Sequence, residues 1–106
     1  MIAPPGGSFE DRHEGGVGGR VALAWFCVPW SAPCREQQRI LDKVAARLRS
    51  KARIEIINVE EQAALARDYR IKALPTLVVL KDGEEVERFT GLQPAEVLAR
   101  TLETLL

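Results

Sequence analysis

Val21-Ala22-Leu23-Ala24-Trp25-Phe26-Cys27-Val28-Pro29-Trp30-Ser31-Ala32-Pro33-Cys34 is the stretch that decides the fold. Val21 to Phe26 is continuously apolar. That is how a strand buried on both faces of an α/β sheet reads, since neither face needs polar residues. Pro29 to Pro33 reads as a loop with Trp30 inside it. A helix is expected from about Ala32 to Arg49. Ile40, Leu41, Val44, Ala45 and Leu48 recur there at helical spacing, with Arg35, Glu36, Arg39, Asp42 and Lys43 among them.

Downstream, Ile54-Glu55-Ile56-Ile57-Asn58-Val59 is a second β-rich run. Glu60 to Tyr69 reads as a short helix, opened by acidic and closed by basic residues, as the macrodipole favours. Leu74-Pro75-Thr76 breaks the chain. Thr76 to Lys81 is a third strand, and Asp82-Gly83 is a hairpin signal that sends Glu85 to Thr90 back antiparallel. Gly91 permits a bend. Pro94 starts a last helix at its favoured first position, carrying Val97, Leu98, Leu102 and Leu105 inward. Strand–helix alternation followed by a hairpin implies an α/β fold with a central mixed sheet and helices on both faces.

Upstream the composition differs. Gly6, Gly7, Gly15, Gly16, Gly18 and Gly19 are six of the eight glycines, and Pro4 and Pro5 stand with them. Such a segment cannot offset its ordering entropy by burial, so residues 1–19 are expected to be a flexible segment ahead of a domain over 20–106. Ser8 to Glu14 forms at most one helical turn, anchored by Phe9. His13 reads as solvent-facing.

The whole chain has 106 residues, 15 Lys+Arg and 15 Asp+Glu. One domain fits that length. Zero net charge lacks the basic excess of a nucleic-acid binder. No apolar run nears the roughly 20 residues that span a bilayer. Met1 to Ser8 lacks a basic n-region and an apolar h-region, so a cytoplasmic globule without a signal peptide is expected. Two cysteines and one histidine fall short of a closed zinc site, and no metal or cofactor is expected. The Arg47, Arg49, Lys51 and Arg53 cluster reads as a solvated turn.

Trp30-Ser31-Ala32-Pro33-Cys34, at the strand-to-helix junction, resembles the Trp-Cys-Gly-Pro-Cys hallmark of the thioredoxin family. Leu74-Pro75-Thr76 matches that family's cis-proline loop. Asp82-Gly83 and Gly91 fall in register with its final hairpin and last helix. The resemblance covers roughly residues 20–106, and the spacing between landmarks makes it specific. The head does not resemble the family's first strand and helix, which are absent or remodelled here. The resemblance implies a thioredoxin fold and thiol–disulfide exchange with protein partners. It also implies a groove for an extended peptide at Trp30, Ala32, Pro33, Leu74, Pro75 and Gly91, by β-augmentation beside the proline.

Departures from the family carry as much information. In the family a thiolate at the helix N-terminus attacks a disulfide, and a second cysteine three residues on resolves the mixed disulfide. The attacking position is Ser31 here, and a hydroxyl forms no disulfide; Cys34 keeps the resolving sulfur. The family's buried Asp is Trp25 here, and the Lys that often partners it is Ile56. Ser31 also has a plain structural role, as a helix N-cap. Cys34 is either a packed small hydrophobe or a retained reactive thiol. Cys27, where the family usually has Trp, is either a buried small residue or a second thiol bridging to Cys34, which needs Cα atoms within about 7 Å.

Three functions remain open on these residues. One is thiol–disulfide exchange and cell redox homeostasis through a weak or monothiol site at Cys34, paired with Cys27, a partner thiol or a reductase. Another is a non-catalytic peptide-binding or chaperone-like module. The third is a Cys→Ser variant of an active thioredoxin, against which Trp25 and Ile56 count.

Overall fold

Every residue of β1 (Val21–Cys27) is buried, as a two-sided strand requires. The computed structural model describes residues 20–49 and 51–106. Expectations for the Gly-rich head, including the turn at Ser8–Glu14 and His13, lie outside the described residues, as does the place of the family's first strand and helix.

After β1 come α1 (Ala32–Leu48), β2 (Arg53–Asn58), α2 (Ala63–Asp68), β3 (Thr76–Lys81), β4 (Glu84–Thr90) and α3 (Ala95–Glu103). The sheet order is β2-β1-β3-β4, with β1 parallel to β2 and antiparallel to β3. β4 returns along β3 with an irregularity between Val79 and Leu80. The turn works as the sequence implies: Asp82 and Gly83 have φ of 53° and 84°, the positive pair that a tight hairpin requires.

Side-chain alternation along β1 divides the core. Val21, Leu23, Trp25 and Cys27 pack with Leu41, Val44 and Leu48 of α1 and Leu98 and Leu102 of α3. Ala22, Ala24 and Phe26 face the other way, onto Leu65 of α2 and onto Tyr69. The mixed sheet therefore has helices on both faces, as expected.

Several details differ from expectation. α1 ends at Leu48, because Arg49 turns left-handed (φ 53°) and its N–H caps Ala45 O. Ala45 is exposed and Ile40 half-buried. α2 starts at Ala63, not Glu60. The Asn58 carbonyl accepts from the amides of Glu61 and Gln62, and its side chain from that of Glu60, so both glutamates sit in a turn. Pro94 is the N-cap of α3 rather than its first residue, and Val97 is exposed rather than inward. Arg47 is no idle surface charge. Its guanidinium bonds Glu96 Oε1 at 2.8 Å and Glu103 Oε1 at 2.9 Å, joining α1 to α3 and holding the Glu96 carboxyl below its usual range. Arg53 is mostly buried and pairs with Glu55 at 3.0 Å.

Gln37 was not among the expected core residues, yet it is fully buried. Its Nε2 donates to Gln93 O at 2.9 Å and its Oε1 accepts from Gln93 N at 2.8 Å. That amide clamps α1 to the segment between Gly91 and α3. Gln37→Leu removes both partners of Gln93, and a loss of about 1–3 kcal/mol in urea denaturation is expected. A loss under about 0.5 kcal/mol would mean that water replaces the clamp.

Candidate functional site

β1 and α1 converge on a short loop. Ser31 N donates to Val28 O at 3.2 Å, which tightens it, and Ser31 enters the helix with extended backbone. Its Oγ accepts from Cys34 N at 3.4 Å, the N-cap role its residue type favours. Ala32 and Pro33 form the exposed start of the first turn. Cys34 lies on the inner face and is only 1% exposed.

Trp30 is 68% exposed, and its indole Nε1 donates to Glu60 Oε2 at 3.0 Å. The structure thus ties Trp30 to the turn after β2. Leu74 packs against the core cluster that contains Cys34. The Leu74–Pro75 peptide is cis, and Pro75 O accepts from Gly91 N at 2.8 Å. Gly91 has φ of 92°, which a side chain would strain, and the space beside its Cα is open. Leu74, Pro75 and Gly91 therefore come together through the Pro75 O–Gly91 N bond.

Trp25 and Ile56 are register partners across β1 and β2, so the two replaced positions do face each other. Their exposures diverge. Trp25 is buried, and its Nε1 has no hydrogen-bond partner among the described residues. Ile56, on the edge strand, is 54% exposed. Between them opens a cavity of about 470 Å³, bounded also by Val28, Pro29, Cys27 and Cys34. None of its lining residues is acidic, so nothing there can take a proton as a carboxylate would.

Cys27 is also buried, and both cysteines are free thiols. Cys27 and Cys34 both belong to the wall of this cavity. Burial first, then the neighbouring Cys34, pushes the Cys27 thiol up to about 12. Sequence reasoning named both sulfurs but not the cavity they share. Neither Asn58 nor Gln38 in its wall carries a sequence signal, whereas Gln37 falls on the buried stripe Cys34, Gln37, Leu41, Val44 and Leu48. Among the described residues no cluster of His, Cys, Asp or Glu could hold a metal ion, and no helix is long and apolar enough to cross a membrane.

A helix capped beside a buried thiol, next to a proline loop and backed by a mixed sheet, defines an α/β protein of the thioredoxin fold. The thioredoxin family model matches residues 14–104. The chain is 36% identical to a thioredoxin of Staphylococcus aureus over 95 residues, 90% of this chain and 88% of that protein. Thioredoxin of Fasciola hepatica superposes with a TM-score of 0.80 at 26% identity, over 99% of this chain and 97% of that one. A mutant thioredoxin from Halobacterium salinarum NRC-1 gives a TM-score of 0.75 at 35% identity, over 81% and 74%. This chain belongs to the thioredoxin family, whose general function is thiol–disulfide redox chemistry with protein partners.

Proposed function

We propose that this protein performs thiol–disulfide exchange with Cys34 as its acting sulfur, and that Ser31 in the attacking position makes the exchange weak. The observation that carries this reading is the placement of Cys34. It keeps its sulfur in the first turn of a helix whose cap and proline loop are intact, while Ser31 is occupied in capping its amide. The partner in this reading is a protein segment in extended conformation, lying along Leu74, Pro75 and Gly91 with Ala32, Pro33 and Trp30 at its border. A reductase or a partner thiol returns Cys34 to its reduced form. Two cysteines held as thiols suit a reducing compartment such as the cytoplasm.

The open space beside Gly91 and the exposure of Trp30 also favour a second reading, a peptide-binding module without chemistry. Insulin reduction driven by dithiothreitol separates the two. The chain is expected to exceed its Cys34→Ala variant in rate. Equal rates at the uncatalysed background would overturn the redox reading and leave the groove as a binding surface.

A further inference from the structure

Ser31 cannot supply a second sulfur, but Cys27 stands where one can act. It ends β1, Cys34 begins α1, and the loop between them reverses the chain so that both thiols line one cavity. We infer that Cys27 and Cys34 form a reversible dithiol–disulfide couple, and that small disulfides reach it through the cavity beside Trp25 and Ile56. The inference rests on the reading of Cys34 as a chemically active thiol.

The exchange balances without any further reactant. The Cys34 thiolate attacks one sulfur of a small disulfide RSSR, forming Cys34–S–S–R and releasing the first thiolate RS⁻. The Cys27 thiolate then attacks Cys34 Sγ and displaces the second RS⁻. The two protons lost by Cys27 and Cys34 end on the two RSH molecules. The protein loses two electrons and RSSR gains them. The order of attack follows from electrostatics. Cys27 holds its proton while the Cys34 thiolate stands beside it, because burial first and then that negative charge disfavour a second thiolate. Once Cys34 is in the mixed disulfide, the neighbour's contribution is gone and only burial remains, so Cys27 ionises more readily as the second sulfur.

Access favours the cavity. Cys34 is 1% exposed and Cys27 5%, and both belong to the wall of the cavity. The cavity of about 470 Å³ is bounded by both cysteines, and its wall toward β2 is the half-exposed Ile56. That room suits a low-molecular-weight disulfide and excludes a folded protein domain.

The test is oxidation of the reduced full chain in glutathione disulfide buffers, with acid quenching, thiol counting and mass analysis. Both thiols are expected to disappear together, with the mass lower by two hydrogens, the Cys27 and Cys34 peptides linked, and full reversal by dithiothreitol. Cys27→Ala and Cys27→Val are each expected to stop at a Cys34–glutathione adduct. Ile56→Trp, which narrows the cavity mouth, is expected to slow oxidation about tenfold. A glutathione adduct that persists on Cys34 of the unmutated chain would overturn the couple while leaving Cys34 reactive. An unreactive pair in the folded chain would overturn both the couple and the reading beneath it. Linked cysteines alongside insulin reduction that ignores Cys34→Ala would overturn only the proposed exchange with protein disulfides. An Ile56→Trp rate equal to the parent's would overturn the route.

Discussion

Ser31→Cys is expected to raise dithiothreitol-driven insulin reduction by about a hundredfold or more, because it restores the nucleophile whose hydroxyl analogue cannot enter the chemistry. The surroundings are ready for it. The position precedes the first turn of α1, whose free N–H groups and dipole favour a thiolate, and Cys34 follows at resolving distance in the chain. The proline loop is already in place, with Pro75 O bound to Gly91 N. The gain stays below that of a complete family site. Resolution requires Cys34 to lose its proton, and the cavity behind it offers Trp25 and Ile56 with no carboxylate in its wall. Ser31→Ala is the control: it removes the cap, costs about 1 kcal/mol of stability, and leaves the rate at the parent level. A Ser31→Cys rate no higher than that control would show that access or proton transfer, not the missing sulfur, limits the site.

Phe26→Ala is expected to cost about 3–5 kcal/mol in urea denaturation, through the lost burial and the cavity left behind. Phe26 is fully buried, on the face of β1 opposite Cys34, with its ring 5.6 Å from that of Tyr69. α2 has only six residues and no side-chain cap, so Leu65 and the neighbouring Tyr69 are what hold it to the sheet. A domain of this size has about 5–15 kcal/mol in all, so the variant stands near the edge of unfolding. Trp30→Ala is the contrast. At 68% exposure it is expected to shift stability by no more than about 0.5 kcal/mol, although Trp30 borders the proposed groove. A Phe26→Ala loss below about 1 kcal/mol would mean that the α2 face collapses onto the gap at little cost.

Much of the site is legible along the chain because its parts are local. Ser31 caps the helix that its residue type announces, and Asp82-Gly83 makes the turn that its conformational freedom permits. Where the reading erred, a neighbour in space overrode a local preference. Asn58 draws Glu60 and Glu61 into a turn and delays α2 to Ala63. Val97 sits on an apolar spacing but faces outward, because Leu98, Ala99 and Leu102 already fill the contact with α1. Arg47 looks like one charge of a solvated run until α3 brings Glu96 and Glu103 to it.

The sequence alone determined the order of strands and helices, the burial of β1 on both faces, the hairpin, and the serine at position 31. These follow from periodicity, turn chemistry and residue identity, which act within a few residues. The tertiary structure decided the rest. It made Gln37 a buried clamp, tied Trp30 to Glu60, and brought Cys27 and Cys34 to the wall of one cavity. Those features depend on how a strand, a loop and a helix fold back on each other, and no local pattern encodes the distance between two side chains that only packing brings together.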